Sequence, residues 1–284
     1  MDRSGPAAED PPFAPFNEHR IRAVLSTAAS SALAGIAIFA ELASTNQHLA
    51  QLGRDRQHGR VVLADKQTAG RGRAGRSWHS PAGCNIHLSL GWQFAAAVDS
   101  LSGLPLAVGV AVARAIARFG VADVRIKWPN DLIIGRYKLG GILVETSPAG
   151  GDGTMAVIGI GINVSMRAQP GAQSPIDQPW TDICSHLQAA RELDVRDRLS
   201  GCLLNELLAA VRLFAVQGLA PFMPDWRRLD AINGQQVTIR CGAAVIHGTA
   251  IGVDTRGCLL VESLGSGGER QSRAFPAGEV SVRF

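Results

Sequence analysis

Lysine is nearly missing from this chain of 284 residues. Among its 28 basic residues only Lys66, Lys127 and Lys138 are lysines, and the others are arginines. A chain that does not use lysine as general surface charge makes each remaining lysine a candidate for a task that needs a compact ammonium rather than a planar guanidinium. For Lys66, a plain compositional preference for arginine explains the residue equally well.

Paired cysteines and secretion signals are also missing. The five cysteines are odd in number and scattered, and none forms a C-x-x-C pair, which argues against a disulfide framework or a zinc site. His79, Cys84 and His87 lie close in sequence, but no carboxylate or second cysteine completes a metal-binding set. The apolar stretch 27–40 follows a flank of mixed charge rather than a clean basic region, and it is too short to span a bilayer. We therefore expect a cytoplasmic protein without a tightly held metal or a membrane partner.

The composition fits a folded protein with one large domain or two unequal ones. Hydrophobic residues make up 46% of the chain, which is enough for a full globular core, and the sequence contains no internal repeat. The pattern predicts an α+β fold, with a mixed-sheet domain and flanking helices followed by a small C-terminal β-barrel. We place a flexible, proline-rich arm at residues 1–20, the mixed-sheet domain at 21–228 and the β-barrel at 229–284.

Hydrophobic periodicity predicts the individual elements. Helices are expected over 104–119, where apolar residues fall four apart, and from residue 199 to about 216. A surface loop is expected over 168–179 because proline, glycine and serine cluster there. The predicted strands are 61–64, 86–90, 124–127, 132–134, 142–145 and 155–160 in the first domain, and 236–241, 244–253, 257–262 and 278–284 in the second.

The positive charge of the chain is local. The net charge is +4, but seven cations and two anions lie between Arg54 and Arg76, so the rest of the chain is close to neutral. One small basic patch suits a phosphate-bearing small molecule as well as a nucleic acid.

The patch ends in the segment Gly70-Arg71-Gly72-Arg73-Ala74-Gly75-Arg76. Glycines let backbone N–H groups approach an anion closely, and arginines donate paired hydrogen bonds to phosphate or carboxylate oxygens. The segment matches neither a P-loop nor a dinucleotide fingerprint. Because it cannot pack a core, we expect it to be mobile until a ligand binds. A solvated basic loop and an RNA contact are the alternatives.

Two motifs place lysines at the ends of predicted strands. Lys127-Trp128-Pro129-Asn130-Asp131 follows one strand, and Lys138-Leu139-Gly140-Gly141 opens another. Ligand sites gather at strand ends in α/β sheets, and glycines after a lysine allow a ligand to lie against the backbone. Two ordinary edge-strand lysines remain the alternative.

Glycine alternates in a third strand. Gly159 and Gly161 leave one face of this strand as bare backbone, which suits a planar or extended ligand, although a pair of β-bulges explains them as well. Asn163 at its end both donates and accepts hydrogen bonds, as adenine recognition requires. Ser44-Thr45-Asn46 after an apolar run is, taken alone, typical of a helix N-cap.

Taken in order, these motifs resemble those of the biotin–protein ligases. The shared patterns are Ser-Thr-Asn, Gly-Arg-Gly-Arg-x-Gly-Arg-x-Trp, Lys-Trp-Pro-Asn-Asp, Lys-Leu-x-Gly-Ile-Leu-x-Glu and Gly-x-Gly-Ile-Asn, and the resemblance extends over residues 38–284. It implies that the first domain is catalytic, that ATP and biotin form biotinyl-5′-AMP with Mg²⁺ carried mainly by ATP, and that biotin is then transferred to a lysine of the biotin carboxyl carrier protein of acetyl-CoA carboxylase. With about forty residues before Ser44, the resemblance implies a monofunctional ligase that does not bind operator DNA, as a monomer or weak homodimer.

The resemblance also assigns roles to residues. Lys138, Arg71 and Arg73 are the expected catalytic residues, with Lys138 bridging the biotin carboxylate and the α-phosphate. Those expected to bind biotin are Ser44, Thr45, Asn46, Gln67, Gly70, Arg71, Gly72, Arg73, Lys138, Gly141 and Gly159. Those expected to bind ATP or the adenylate are Arg76, Trp78, Lys127, Asn130, Asp131 and Asn163. His87 departs from the family, because an aromatic residue commonly lines the biotin pocket at this position.

Other functions stay open at this point. A lipoate- or octanoate-transferring relative with the same general fold is the nearest alternative, although the glycine–arginine segment and the C-terminal β-module argue against it. A nucleic-acid-binding protein that uses the Arg54–Arg76 patch would have no use for Gly159, Gly161 or Lys138. A regulatory protein that senses the adenylate without transferring it is a third alternative.

Overall fold

The computed structural model describes residues 13–151, 153–166, 176, 178–187, 194–241, 244–264, 269–277 and 280–283. The helices in these residues are α1 (Glu18–Ala23), α2 (Thr27–Ala32), α3 (Thr45–Gln51), α4 (Leu104–Arg118), α5 (Val195–Gln217) and α6 (Met223–Leu229). The strands are β1 (Gly35–Leu42), β2 (Arg60–Gln67), β3 (Asn85–Phe94), β4 (Val124–Lys127), β5 (Asp131–Ile134), β6 (Tyr137–Gly150), β7 (Gly153–Asn163), β8 (Gln236–Cys241), β9 (Ala244–Val253), β10 (Leu259–Leu264), β11 (Arg270–Phe275) and β12 (Val280–Arg283).

The first domain is built on a mixed seven-stranded sheet. Its strand order is β1-β2-β3-β7-β6-β5-β4, with β1 and β2 parallel and the other neighbours antiparallel. α4 and α5 pack against each other and against the sheet. α3 packs on β2, β3 and β7, where Leu49, Val62 and Val157 form a small apolar cluster of their own. Because α3 needs only this short contact, much of its face of the sheet remains open for a ligand.

The two longest helices are core helices. The stretches Val98–Arg118 and Val195–Gln217 are long and apolar enough to cross a bilayer by length and composition alone. However, 72% and 56% of their apolar windows are buried in the fold, as expected where apolar residues recur every three to four positions and face a core. Their hydropathy is therefore weak evidence for a membrane segment.

The C-terminal residues form a five-stranded antiparallel sheet with the order β11-β10-β9-β8-β12. In the described residues no ladder joins β11 to β12, so the expected small β-module is an open sheet and not a closed barrel. Its strands share one apolar core with the first domain, including Val237, Leu259 and Val261. At the contact, Trp128 Nε1 donates a hydrogen bond to the carbonyl oxygen of Gly257 at 3.0 Å.

The prediction of a flexible arm is wrong for residues 13–20. Phe13 and Phe16 are buried, and the guanidinium of Arg196 on α5 lies 4.1 Å from the ring centroid of Phe16. Arg196 is itself buried, donates to the carbonyl oxygen of Ala14 at 2.7 Å and pairs with Asp65 at 2.6 Å. A buried cation needs such partners, and the aromatic residues close the site over it. Residues 1–12 lie outside the described part of the chain.

Other predicted elements differ in detail. The apolar stretch 27–40 contains α2 and most of β1, which is an edge strand of the seven-stranded sheet. β11 has no predicted counterpart, because its sequence Arg270–Phe275 is polar except at its end and five of its residues are exposed. The predicted surface loop 168–179 falls mostly outside the described residues.

Candidate active site

A cavity of about 870 Å³ lies over the middle of the seven-stranded sheet, on the face that carries α3. Its floor is backbone, because glycines occupy that face on two neighbouring strands. Gly161 pairs with Gly141 across β7 and β6, and Gly159 pairs with Leu143 in the adjacent row. Side chains alternate between the two faces of a strand, so these positions point the same way. The bare backbone face that the alternating glycines predict is therefore present, although side chains of the chain itself cover it at Gly159 and Gly161.

Two side chains of the chain itself rest on this floor. A Cβ atom at Gly161 would lie 2.8 Å from the indole of Trp78, and one at Gly159 would lie 2.3 Å from Asn46 Oδ1. Both distances are too short for a real side chain. Glycine is thus required because Trp78 and Asn46 pack directly against the strand.

The glycine–arginine segment forms a narrow loop at the edge of the cavity. The Trp78 N–H donates to the Gly70 carbonyl at 2.9 Å, and the Gly72 N–H donates to the Arg76 carbonyl at 2.6 Å. At the tip, Ala74 and Gly75 both have positive φ, of 53° and 72°. These hydrogen bonds close the loop on itself, so its arginines project from one folded unit.

The arginines of the loop reach polar groups on the sheet. Arg73 donates to Asn130 Oδ1 at 3.3 Å, and Arg71 pairs with Glu145 at 3.0 Å. Burial lowers the pKa of the Arg73 guanidinium, an effect opposed by the nearby Asp131 carboxylate. An arginine that gives up water in this way gains most from an anion that enters the cavity.

The start of α3 forms a second side of the cavity. Ser44 is its N-cap, and Ser44 Oγ accepts from the Gln47 N–H. Gln67 Oε1 accepts from the Thr45 N–H at 2.8 Å, which leaves the Gln67 amide N–H groups as donors. Ser44, Thr45 and Asn46 are all buried. This triplet therefore caps the helix and also presents fixed hydrogen-bonding groups to the cavity.

Lys138 supplies a compact charge between these two sides. Its Nζ lies 2.8 Å from Asp131 Oδ1 and 5.5 Å from the ring centroid of Trp78. The Lys138 and Asp131 side chains are each 15% exposed, so the ammonium is largely shielded from water. A half-buried point charge of this kind can neutralise charge that develops on a bound ligand.

Two asparagines fix the backbone at the cavity edge. Asn130 Nδ2 donates to the Ile142 carbonyl at 2.8 Å, and Asn163 Nδ2 donates to the Thr181 carbonyl at 3.0 Å. Both side chains are almost fully buried. Asn163 Nδ2 also lies 3.3 Å from the Lys138 carbonyl, so this amide ties β7 to the start of β6.

His87 lies in the row of the floor, opposite Gly161, and is buried. Its Nε2 is 2.9 Å from Ser80 Oγ, whereas its Nδ1 has no hydrogen-bonding partner among the residues that the structure describes. Burial, with a smaller effect from Arg196, lowers the pKa of the His87 imidazole to about 3. His87 is therefore a neutral ring behind the cavity wall at physiological pH.

Most residues expected in the site line the cavity. They are Ser44, Thr45, Asn46, Gln67, Arg71, Gly72, Arg73, Arg76, Trp78, Asn130, Asp131, Lys138, Gly141, Gly159 and Asn163. Two expected residues do not line it. Gly70 lies at the base of the loop, where its carbonyl accepts from the Trp78 N–H. Lys127 lies on β4, opposite Asp131 in the β4–β5 ladder, and is therefore one strand beyond the edge of the cavity.

Several residues at the site were not among those expected to bind biotin or the nucleotide. Gly161 and Trp180 line the cavity, and Ser89 and Glu145 contact lining residues from behind. The alternating glycines already indicated Gly161, and Glu145 ends the motif that begins at Lys138. Ser89 carries no local signal, because only the register of β3 with β7 places it beside Gly159.

Two family models match the chain. The Biotin/lipoate A/B protein ligase family matches residues 38–163, and the Biotin protein ligase C terminal domain matches residues 233–283. The Bifunctional ligase/repressor BirA of Escherichia coli (strain K12) is 37% identical over 248 residues, which cover 87% of this chain and 74% of BirA. The chain belongs to the biotin protein ligase family.

Other members of the biotin protein ligase family agree with this assignment. The Biotin--[acetyl-CoA-carboxylase] ligase of Paracoccus denitrificans is 31% identical over 249 residues, covering 84% of this chain and 96% of the relative. A solved structure titled as the biotin protein ligase from Aquifex aeolicus in complex with biotin and ATP superimposes with a TM-score of 0.71 at 25% identity, covering 88% of this chain and 99% of that one. The two-part architecture described above is thus that of the biotin protein ligases.

Proposed function

We propose that this chain joins biotin to a carrier protein in two steps. In the first, a biotin carboxylate oxygen attacks the α-phosphorus of ATP, so that biotinyl-5′-AMP forms and pyrophosphate leaves. In the second, the neutral amine of a carrier lysine attacks the acyl carbon, so that an amide forms, AMP leaves and the nitrogen gives up one proton. The observation that carries the proposal is the half-buried Lys138 ammonium above a glycine floor, with Arg71 and Arg73 at the cavity edge.

Lys138 addresses the main obstacle to the first step. Biotin and ATP both carry negative charge where they must react, so they repel each other. An ammonium held between the carboxylate and the α-phosphate offsets this repulsion and stabilises the additional charge on the pentacovalent phosphorus. Because Asp131 holds Lys138 Nζ at 2.8 Å, the ammonium is oriented before either substrate arrives.

The biotin end of the cavity is assigned to the start of α3. Gln67 presents amide N–H donors, and Ser44, Thr45 and Asn46 present hydroxyl and amide groups. Such mixed donors and acceptors match a cyclic urea, which has one carbonyl oxygen and two N–H groups. The nucleotide is assigned to the opposite end, near Arg76, Trp78, Asn130, Asp131 and Asn163.

The glycine–arginine loop is assigned a protective role. A mixed anhydride hydrolyses when water reaches it, so the loop must cover the adenylate until the acceptor arrives. Arg71 and Arg73 carry the charges that phosphate attracts, and the loop already closes on itself through the Gly70–Trp78 hydrogen bond.

Magnesium is proposed to enter with ATP. In the part of the chain that the structure describes, no three His, Cys, Asp or Glu side chains come together as a metal site, and Asp131 is the carboxylate that lines the cavity. This donor set fits Mg²⁺, which is usually held by one or two carboxylates, water and substrate phosphates.

The proposed acceptor is the biotin carboxyl carrier protein of acetyl-CoA carboxylase. The support is the similarity to relatives named as ligases for that carboxylase. The test is to incubate the purified protein with ATP, an isolated carrier domain and either biotin or lipoate, and to weigh the carrier by mass spectrometry. We expect a mass increase with biotin only, together with biotin-dependent release of pyrophosphate. A carrier that gains lipoate and not biotin would overturn the proposal.

A lipoate ligase is the second candidate, because the first family model includes lipoate ligases. The match of residues 233–283 to the C-terminal domain of biotin protein ligases favours biotin. In the basic segment, Lys66 pairs with Glu41, Arg71 pairs with Glu145, and Arg73 donates to Asn130, so three of its seven cations already have partners within the fold.

A further inference from the structure

Glu145 connects two parts of the site that are far apart in sequence. Its Oε2 accepts from Asn46 Nδ2 at 2.8 Å, and its two carboxylate oxygens lie 3.0 and 3.1 Å from the guanidinium of Arg71. Asn46 belongs to the start of α3, and Arg71 belongs to the glycine–arginine loop. We propose that Glu145 is a positioning residue of the ligase reaction, which orients Asn46 for biotin binding and holds Arg71 over the adenylate. This inference rests on the proposed function.

The first half of the argument concerns the amide of Asn46. The side chain is buried, and its Nδ2 donates to both the Leu143 carbonyl and Glu145, whereas its Oδ1 accepts from Ser89 Oγ at 2.6 Å. A carboxylate only accepts hydrogen bonds, so it forces the amide nitrogen to face it. Together with the Leu143 carbonyl, which also only accepts, Glu145 therefore fixes which end of the amide faces β6 and which end faces Ser89.

The direction of this amide passes to its neighbours. A serine hydroxyl has one hydrogen, and Ser89 Oγ lies within donating distance of both Asn46 Oδ1 and Thr45 Oγ1. The direction of the Asn46 amide therefore affects whether this hydrogen goes to Asn46 or to Thr45. Thr45 Oγ1 lies 2.8 Å from Ser89 Oγ. Because Gly159 brings the strand against Asn46, the whole chain of groups is packed too tightly to rearrange freely. Glu145, which does not itself line the cavity, thus influences which donors and acceptors of Thr45 and Asn46 are presented to biotin.

The second half concerns Arg71. The Arg71 and Glu145 side chains are 47% and 36% exposed, and such exposed ion pairs contribute little to stability. The pair therefore serves to keep the loop near the sheet. When the phosphate of an adenylate competes for the Arg71 guanidinium, Arg71 can leave Glu145 and bind the phosphate instead. The Glu145 charge is needed for this contact, whereas the Asn46 contact needs only an acceptor oxygen.

Two substitutions separate these contacts. Glu145→Gln keeps an acceptor oxygen but removes the charge, and Glu145→Met keeps the length but removes both. We expect Glu145→Gln to release bound biotinyl-5′-AMP about three- to tenfold faster with little change in the KM for biotin, because one charge-assisted contact is lost. We expect Glu145→Met to show the same faster release and also a biotin KM raised by about three- to tenfold, because the Asn46 amide loses its partner.

The measurements are the escape of radiolabelled adenylate from the isolated enzyme, the KM for biotin in pyrophosphate release, and the melting temperature. Glu262→Gln is the matched control, since Glu262 pairs with Arg270 at 3.1 Å on the C-terminal sheet, and it should behave as the wild type in all three. A wild-type enzyme that makes no adenylate would sink the proposed function itself. If the wild type is active, the proposal on Glu145 fails when both variants match the wild type, or when both lose kcat and melting temperature together without a change in KM or escape.

A double-mutant cycle tests the route through Asn46 even if the Glu145 variants are somewhat less stable than the wild type, because it compares changes in the KM for biotin. If Glu145 acts on biotin through Asn46, Glu145→Met should change the biotin KM little in an Asn46→Ala background. Additive effects of the two substitutions on KM would contradict the proposed route. If Glu145→Met fails to fold, Glu145→Ala in the same cycle answers the same question.

Discussion

At the scale of single residues, the two ion pairs of the site differ in burial and so in task. The Lys138 and Asp131 side chains are each 15% exposed, whereas Arg71 and Glu145 are exposed by more than a third. A shielded pair holds its geometry, and an exposed pair exchanges readily. Lys138 therefore suits a fixed role in catalysis, and Arg71 suits a role in a moving loop.

Lys138→Arg should lower kcat for adenylate formation by about a hundredfold, although the charge is kept. The guanidinium is wider and forked, and the space beside Lys138 is already taken by Asp131 and the indole of Trp78. The measurement is biotin-dependent pyrophosphate release at saturating substrates, with an unchanged melting temperature as evidence of folding. Release close to the wild-type rate would contradict the role of Lys138.

His87 makes stability depend on pH. Burial lowers the pKa of the His87 imidazole in the folded chain to about 3, from an ordinary value of 6.5, so the unfolded chain binds a proton that the folded chain excludes. The contribution is complete above about pH 6.5 and is lost as the pH falls towards 3. We expect the difference in unfolding free energy between the wild type and His87→Gln to shrink by up to ~1.4 kcal/mol per pH unit in this window. Urea denaturation at several pH values measures it, and a difference that does not vary with pH would refute the expectation.

At the scale of elements, β7 was predictable in its pattern but not in its contacts. Alternating glycines in the sequence predict a bare strand face, and the structure has that face under the cavity. The sequence does not reveal that Trp78 and Asn46 lie on Gly161 and Gly159, because these contacts join a loop and a helix that are distant in the chain. For the same reason Ser89 and Glu145 could not be assigned, since their neighbours depend on strand register.

Gly159→Ala should weaken biotin binding by at least about tenfold, because a methyl group there displaces Asn46 from its hydrogen bonds. The control is Gly53→Ala, since no atom of the described residues, apart from the chain neighbours, lies within 4 Å of a Cβ at Gly53. Isothermal titration of both variants with biotin measures the effect. Equal affinities for the two variants would show that the strand does not depend on glycine at this position.

At the scale of the whole molecule, the predicted division into two domains matches the order of the two sheets along the chain. It does not match the hydrophobic core, which the two sheets share. The strands of the C-terminal sheet were predictable from their alternating pattern, and four of the five appeared in that prediction. The shared core was not predictable, because it depends on how the turn at Gly257 packs against Leu106 and Gly103. A Cβ added at Gly257 would lie 3.0 Å from Leu106 and 3.2 Å from Gly103. The two sheets are thus expected to unfold together.

Trp128→Phe should lower stability by about 1–3 kcal/mol, because it leaves the buried Gly257 carbonyl without the indole donor. The same change should lower the rate of adenylate formation, since Trp128 lies two residues before Asn130. Calorimetry is expected to show one transition at a lower temperature. Two separate transitions in the wild-type protein would instead mean that the sheets are independent.

The closed geometry of the glycine–arginine loop has a mechanical consequence. Its two ends are bonded to each other at Gly70 and Trp78, and the residues just before it, Thr68 and Ala69, are bonded to Leu42 and Ala43. The segment is therefore expected to move as one rigid unit about its base at Gly70 and Trp78, rather than as a flexible loop. We therefore expect that a phosphate which binds one of its arginines moves all of them together, and that the Trp78 indole, which rests on the strand, moves with them.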